Sequence, residues 1–327
     1  MYPQVMQSDP LDELENVLGT GLDTRAEVLE ALSDLDGELA ARFDELWARL
    51  NPDQRATLLN QLGEAAEENL VLDFSHVYGL GLGDPDPVVR ELAIRLAAEE
   101  APPELLDSYL DAARSDPDPN IRAAALESLS PYTLAAQSED WPQDQQNRLE
   151  DVLVEALHAP GGDLAARQAA LLSLAYLTTP RSEREIRQAH LQPDLRDVAI
   201  EAMGRNCQDI WIPDLAAELE ADDADLRMLA AQAAGELEDE RLVANLVPRL
   251  QDKDEDVRLA AVDALGLIGG DDAKVALSDL LKSRDTIIRD AARDAIEGLV
   301  VGEDPMSDLA GSDSLTAPLP PGDVEPP

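Results

Sequence analysis

The side chains that most often carry metal or nucleophilic chemistry are scarce in this sequence. It contains three histidines, His76, His158 and His190, and one cysteine, Cys207. Zinc sites need several His or Cys ligands at close spacing, and these histidines lie far apart and share no motif. A nucleophilic cysteine needs a nearby base, and Cys207 has no histidine near it in the sequence. We therefore predict no catalytic residue, no metal site and no cofactor.

A second candidate for chemistry is the run of alternating acids Asp252, Asp254 and Asp256. It begins like a calcium-binding loop, in which carboxylate oxygens alternate along the chain. Such a loop needs glycine at its sixth position and glutamate at its twelfth. This sequence has Val257 and Asp263 there. We interpret these aspartates instead as the start of a helix, where a carboxylate accepts backbone N–H groups.

One arginine recurs along the chain in the same sequence context. We call its copies the marker arginines: Arg90, Arg122, Arg167, Arg196, Arg227, Arg258 and Arg289. Successive copies are 32, 45, 29, 31, 31 and 31 residues apart. Self-similarity at a nearly fixed period of this size predicts an architecture of stacked repeats.

Each copy begins like an amphipathic helix. Most marker arginines follow an aspartate by four residues, at the position of an N-cap: Asp86, Asp118, Asp163, Asp223, Asp254 and Asp285. The residue before each arginine is apolar, and small or apolar residues follow it at the spacing of one buried helical stripe. A second apolar-periodic segment precedes each such helix, so the repeat is a helical hairpin of about thirty residues that must be stabilised by its neighbours.

This pattern of acidic cap, arginine, alanines and Leu-Gly resembles HEAT repeats over roughly residues 70–300. The short period resembles the subtype found in phycobilisome lyases. The resemblance implies an all-α, armadillo-like fold, a right-handed α-solenoid (superhelix) of HEAT-like helical hairpins. It also implies that the marker arginines form a structural ladder of hydrogen bonds between repeats. The related deoxyhypusine hydroxylases bind iron through His-Glu motifs, and this chain contains no His-Glu dipeptide.

The sequence divides into four parts. Residues 1–10 are predicted to be a flexible tail, and residues 11–69 are either a helical cap or degenerate repeats marked by Arg25 and Arg55. Residues 70–300 hold seven HEAT-like repeats, with an insertion near 134–148. In that insertion Trp141 either fills a groove between repeats or anchors a partner, whereas Trp211 is expected in the core. Residues 301–327 are rich in proline and acids, which predicts a disordered tail.

The composition bounds the partners. Lys plus Arg is 25 and Asp plus Glu is 69, giving a net charge of −44. Such acidity argues against nucleic-acid binding, which needs a positive surface. No basic segment with an apolar run follows Met1, and no apolar run is long enough to span a membrane. We therefore expect a soluble, cytoplasmic protein.

The residues two and six positions after each apolar pre-arginine residue are expected to line the concave face of the array. The acids among them are the predicted partner-binding residues: Glu91, Glu127, Asp197, Glu201, Asp263, Asp290 and Asp294. A surface of one sign attracts a partner of the other sign, so we predict a non-catalytic scaffold or adaptor that binds a basic protein. One alternative is that the acids only keep an alanine-rich stack in solution. Two others are a bilin lyase or isomerase subunit acting on phycobiliproteins, implied by the resemblance, and mimicry of DNA.

Overall fold

The computed structural model describes residues 9–20, 26–98, 101–138 and 140–303. Every regular element in these ranges is a helix, and no β-strand occurs in them. The all-α repeat fold that the sequence predicts is therefore confirmed. The chain divides between Ala202 and Met203 into two compact units, which we call the N-terminal and C-terminal units.

The N-terminal unit is a succession of paired helices. Its helices are α1 (Pro10–Thr20), α2 (Ala26–Glu30), α3 (Gly37–Arg49), α4 (Pro52–Glu68), α5 (Ser75–Leu82), α6 (Pro87–Ala98), α7 (Leu106–Ser115), α8 (Pro119–Glu127), α9 (Ser130–Ala135), α10 (Gln143–Leu157), α11 (Leu164–Leu174) and α12 (Pro180–His190). The helix α13 (Arg196–Asn206) contains the point of division. Within this unit the second helices of successive pairs, α4, α6, α8 and α11, pack side by side.

The C-terminal unit repeats the same arrangement, and two of its first helices are short. Its helices are α14 (Ile212–Glu218), α15 (Ala224–Leu237), α16 (Val243–Leu246), α17 (Glu255–Ile268), α18 (Gly270–Leu280) and α19 (Thr286–Glu303). The 3₁₀ segments Asp209–Trp211, Glu240–Leu242 and Val247–Gln251 adjoin α14 and α16. The second helices α15, α17 and α19 pack side by side in that order.

The predicted N-caps are confirmed. The carboxylates of Asp118, Asp163, Asp223 and Asp254 each accept the backbone N–H two residues later. Those of Asp86 and Asp285 do the same for Val88 and Ile287. Each of these acids satisfies a donor that the first turn of a helix leaves unpaired.

Glycines at a period of 31 residues let the second helices approach closely. A Cβ on Gly204 would lie 2.8 Å from Ala233 Cα, and one on Gly235 would lie 3.0 Å from Ala264 Cα. A Cβ on Gly266 would lie 2.9 Å from the Cβ of Ala295, again on the following second helix. The spacing between helices in the C-terminal unit therefore depends on a missing side chain at the same place in each repeat.

The apolar residues of the N-terminal region form part of the core. Phe43, Leu46 and Leu50 are buried, as are Leu29, Leu32 and Leu35, but they do not lie on one continuous helix. The chain turns between α2 and α3, where Asp34 and Gly37 have φ of +52° and +51°. Residues 1–8 and Arg25 lie outside the described residues, so the predicted tail and one of the two possible early marker arginines remain predictions.

The insertion contains more helix than its polar sequence indicates. Leu134 and Ala135 are the last two residues of α9, and the residues from Gln143 onward belong to α10. Trp141 is half-buried and packs against the core of the N-terminal unit, which favours the groove-filling interpretation. Trp211 is fully buried and donates from Nε1 to Asn206 Oδ1 at 2.7 Å, so the prediction that it belongs to the core is confirmed.

The helix α19 ends at Glu303, slightly beyond the predicted start of the C-terminal tail. Residues 304–327 lie outside the described residues. None of the helices in the described ranges combines the length and apolarity required to cross a membrane.

Candidate functional site

The marker arginines connect successive turns of the array. Arg90 donates from Nε and Nη2 to the carboxylate of Asp116, at 2.7 and 3.0 Å. Arg227 grips Asp252 in the same way, at 2.9 and 2.8 Å. In each case Nη1 donates to backbone carbonyls of the turn before the arginine's own helix, namely Asp84 O at 2.8 Å and Ala221 O at 2.8 Å. Each guanidinium thus holds together two turns that belong to different repeats.

Each of these aspartates takes part in two such links. The carboxylate of Asp252 binds Arg227 and the backbone N–H of Asp254, while its carbonyl oxygen accepts from Arg258 Nη1 at 3.0 Å. Asp116 does the same, because its carbonyl accepts from Arg122 Nη1 at 2.7 Å. Hydrogen bonds from Arg227 lower the pKa of Asp252, against the opposing effect of burial. Burial also opposes ionisation of Asp116, but hydrogen bonds from Arg90 bring its pKa below the ordinary value.

Arg55 also links an aspartate carboxylate to a backbone carbonyl one repeat earlier, but it uses Nη1 for the carboxylate and Nε for the carbonyl. It donates to both carboxylate oxygens of Asp84, at 3.0 and 2.8 Å, and to the carbonyl of Trp47 at 3.0 Å. Trp47 also donates from Nε1 to Asp84 Oδ2 at 3.1 Å. Of the two interpretations of this region, the contacts of Arg55 favour a degenerate repeat.

Three further marker arginines, Arg167, Arg258 and Arg289, have contacts of other kinds. Arg167 donates to Asp194 Oδ2 at 2.7 Å and to Gln192 Oε1 at 2.6 Å. Arg258 lies 3.7 Å from Asp285, and Arg289 donates to Ser283 O at 3.0 Å. Arg196 is the first residue of α13 and is exposed.

Asp84, Asp116 and Asp252 were not among the site residues predicted from the sequence. A signal for them exists, because each lies six residues before a marker arginine. The N-cap two residues later is enough to explain an aspartate-rich turn. For that reason the sequence did not indicate that the first aspartate pairs with an arginine. A sequence pattern that pairs an arginine with an aspartate 25 to 29 residues downstream would have found them.

The acids predicted to bind a partner are arranged differently in the two units. In the N-terminal unit Glu91 lies on α6 and Glu127 on α8, and Glu91 is paired with Arg95 at 2.6 Å. Asp197 and Glu201 lie on α13, where Asp197 also accepts the backbone N–H of Val198 at 2.8 Å. The outward positions of α6, α8 and α11 are otherwise neutral, so this part of the predicted surface carries little net charge.

In the C-terminal unit the predicted positions, together with the two that flank them on each helix, form a surface that carries acids and no base. Four successive outward positions on each of α15, α17 and α19 are exposed or half-buried, and we call these twelve residues the acidic face. They are Asp225, Met228, Gln232 and Glu236; Asp256, Leu259, Asp263 and Leu267; and Ile287, Asp290, Asp294 and Gly298. Six are acids and none is basic, and the neighbouring Arg293 is paired with Asp290 at 2.8 Å.

The acidic face also presents apolar side chains. Leu267 is 58% exposed and Ile287 is 54% exposed, and Met228 and Leu259 lie half-buried between the acids. Desolvation raises the pKa of Asp263, which lies among these apolar groups. The face therefore offers negative charge together with apolar area, a combination suited to a partner that carries both basic and apolar residues.

The histidines take part in separate polar contacts. His76 lies 2.7 Å from Asp44 and His158 lies 2.6 Å from Glu185, while His190 belongs to α12. Within the described residues no three His, Cys, Asp or Glu side chains are grouped so that they could hold a metal ion.

Comparison with known proteins agrees with this architecture. Residues 80–146 and 212–297 match the model of a family described as HEAT repeats. The prediction of HEAT repeats from the spacing of caps and marker arginines is therefore confirmed over these two ranges. No curated protein sequence matches the chain.

Two solved structures are distantly similar. An engineered protein is 17% identical over 88% of this chain and 88% of its own, with a TM-score of 0.44. The complex of CpcE and CpcF of phycocyanin lyase from Nostoc sp. PCC7120 is 18% identical, with a TM-score of 0.45. That match covers 68% of this chain and 93% of the other. Neither likeness is close enough to support an inference about function.

Proposed function

We propose that this HEAT-repeat protein is a non-catalytic scaffold that binds a basic segment of a partner protein on the acidic face of α15, α17 and α19. The observation that carries the proposal is the composition of that face, with six acids, four apolar residues and no base. A groove or face of one sign raises the local concentration of an oppositely charged partner and speeds its association. The exposed Leu267 and Ile287 would supply apolar contact once the partner is docked.

Rigid support for such a face comes from the ladder behind it. Arg227 and Arg258 hold the turns at the start of α15 and α17 through Asp252, and Gly235 sets the approach of these two helices. Because backbone positions are fixed in this way, the acids would be presented without a large cost of ordering on binding.

The competing hypothesis is that the acids serve only to keep the protein in solution. The two hypotheses differ in whether position matters or only total charge. On the proposed binding surface, Asp256, Asp263, Asp290 and Asp294 should matter more than equally exposed acids elsewhere in the same unit. Glu220, Glu240, Asp271 and Asp272 are such acids, since they lie exposed beside or on the first helices.

The test compares two variants of equal charge. The face variant changes Asp256, Asp263, Asp290 and Asp294 to Asn, and the control variant changes Glu220 and Glu240 to Gln and Asp271 and Asp272 to Asn. Each removes the same number of negative charges from a net charge of −44. The probe is a labelled amphipathic peptide of Arg and Leu, with binding followed by fluorescence anisotropy in low and physiological salt.

We expect the face variant to bind the peptide about tenfold more weakly than the wild type, from the summed loss of several modest charge contacts. The control variant should bind nearly as well as the wild type, and binding should weaken as salt rises. Equal loss in the two variants would show that only total charge matters and would refute the proposal. Affinity capture with the face variant and the control variant as baits would then identify natural partners. These are the proteins that the control variant retains and the face variant loses.

The bilin lyase alternative remains a prediction of the family resemblance. A pigment-binding assay with phycocyanobilin separates it from the scaffold. A stoichiometric shift of the visible absorption band would favour the lyase.

A further inference from the structure

In the arginine ladder, Arg122 lacks the carboxylate partner that Arg55, Arg90 and Arg227 have. In the turns that follow Arg55, Arg90 and Arg227, an aspartate carboxylate accepts two hydrogen bonds from the guanidinium. Arg122 keeps the bonds from Nη1 to its own turn, at 2.7 Å to Asp116 O and 3.4 Å to Pro117 O. Within the part of the chain that the structure describes, Nε and Nη2 of Arg122 donate to no acceptor.

The reason is a change in the following turn. The residue six positions before the next marker arginine is Gly161, where the turns before Arg90, Arg122 and Arg258 have aspartate. Asp116 and Asp252 have φ of −58° and −60°, whereas Gly161 has φ of +68°. The backbone therefore takes a different path, and no atom lies within 4 Å of the place where a Cβ on Gly161 would be.

A cavity lies beside Arg122, which has no carboxylate partner. It has a volume of about 310 Å³ and is lined by Arg122, the Gly161-Gly162 turn and apolar side chains of α8, α10 and α11, among them Leu126, Val152 and Ala166. The two acids on its wall are already engaged. Glu155 accepts from Arg114 Nε at 2.9 Å, and Asp163 accepts the N–H of Ala165 at 3.3 Å as the N-cap of α11.

We propose that this cavity binds the carboxylate of a ligand with a small apolar body, and that Arg122 receives it through Nε and Nη2. A planar guanidinium presents these two donors in a fork that matches a carboxylate. Nε and Nη2 of Arg90 and Arg227 donate to the carboxylates of Asp116 and Asp252 in this way. A carboxylate is therefore the group that fits these two donors. The apolar wall would contact the rest of the ligand. This site belongs to the N-terminal unit and does not depend on the acidic face.

Two sources of the carboxylate fit the same chemistry, a free short-chain acid and the carboxyl end of a peptide. The probes are sodium butyrate and the tripeptide acetyl-Ala-Ala-Val with a free carboxyl end. Butyramide and the amidated tripeptide have nearly the same shape without the charge, and inorganic phosphate tests whether any anion suffices. All titrations use the full chain at constant ionic strength, because screening alters every charge interaction.

The readout is the Nε–H resonance of Arg122 in a ¹⁵N NMR spectrum of the wild type, assigned by through-bond correlation with the Arg122 backbone. We expect a saturable shift with butyrate at concentrations up to about 50 mM, as for a millimolar site, and none with butyramide. Tighter binding of the free tripeptide than of butyrate would identify a peptide end as the source, and weaker binding would identify a free acid.

Arg122→Lys should weaken butyrate binding about tenfold, because an ammonium group cannot make the two-pronged contact. The exposed Arg95→Lys is the matched control and should bind like the wild type. The proposal is overturned if butyrate causes no saturable shift of Arg122, if butyramide causes the same shift, or if phosphate binds more tightly than butyrate. The wild-type titrations alone decide these outcomes, so they stand even if Arg122→Lys is poorly folded.

Discussion

The carboxylate of Asp252 accepts hydrogen bonds from Nε and Nη2 of Arg227 at 2.9 and 2.8 Å. Arg227 belongs to the preceding repeat. Both side chains are only 5% exposed. The pair connects the turn before α15 to the turn before α17, so a single aspartate supports two neighbouring repeats.

Loss of Asp252 should destabilise the C-terminal unit strongly. Asp252→Ala leaves the buried charge of Arg227 without its partner, and removing one member of a buried pair costs about 3 kcal/mol or more. Asp279→Ala is the control, since Asp279 pairs with Lys282 at 3.2 Å with both side chains largely exposed. Exposed pairs of this kind contribute little, so the control should unfold like the wild type. Urea unfolding followed by circular dichroism measures both, and equal midpoints for the two variants would contradict the prediction.

The contribution of this pair should disappear in acid. Contact with Arg227 lowers the pKa of Asp252 below its ordinary value of 3.8. A carboxylate with a lowered folded pKa contributes its full stabilisation above the unfolded pKa, and loses it as the pH falls through the folded value. The gap in unfolding midpoint between the wild type and Asp252→Ala should therefore be constant near neutral pH and shrink below about pH 4. A gap that stays unchanged to pH 2 would show that charge is not the source of the stabilisation.

Close helix approach at Gly235 should make that position intolerant of a side chain. A Cβ there would lie 3.0 Å from the backbone of Ala264 and 3.1 Å from Leu267, so Gly235→Ala should destabilise by roughly 1–3 kcal/mol. The same substitution at Gly298 is the control, because nothing lies within 4 Å of a Cβ there. Alanine favours the helix by about 1 kcal/mol over glycine, so Gly298→Ala should stabilise slightly. Thermal unfolding of the two variants should shift in opposite directions, and a stabilising effect of Gly235→Ala would refute the packing argument.

The thiol of Cys207 should react slowly despite its exposure. Partial burial raises its pKa, and the charges of Glu236 and Glu238 raise it further. A higher pKa leaves less thiolate at neutral pH, and the thiolate is the reactive form. Alkylation by iodoacetamide should be slower than that of glutathione. Changing Glu236 and Glu238 to Gln should speed it about two- to fivefold. The pair Glu220→Gln and Glu240→Gln is the control, and an equal acceleration there would show that only net charge matters.

The repeating parts of the fold were predictable because they obey local rules. An aspartate that caps a helix and an alanine on a buried stripe have the same role in every copy, so Asp254 and Ala261 could be assigned from spacing alone. Trp211 was predictable for the same reason, since it lies between Ile210 and Ile212 directly before a first helix.

The parts that depend on distant contacts were not predictable. Asp252 has a fixed offset from Arg258, but its role as the partner of Arg227, 25 residues earlier, appears only when two repeats are compared. The insertion looked polar, yet residues 143–148 begin α10, whose later residues such as Leu149 are buried in the core of the N-terminal unit. The charge of the predicted surface depended on pairing, since Arg95 neutralises Glu91 whereas Asp263 has no such partner among the described residues.

The link between Arg227 and Asp252 bears on how such a chain can lengthen. A segment of 31 residues from Arg227 to Val257 contains the donor for the turn ahead and the acceptor for the turn behind. Tandem duplication of that segment would insert a complete repeat. Each copy of Arg227 would pair with the copy of Asp252 in its own segment, so no buried charge would lack a partner. A segment that ends at Gly161 lacks the aspartate acceptor. Duplication of a C-terminal repeat would therefore preserve the arginine–aspartate link, whereas duplication at Gly161 would not.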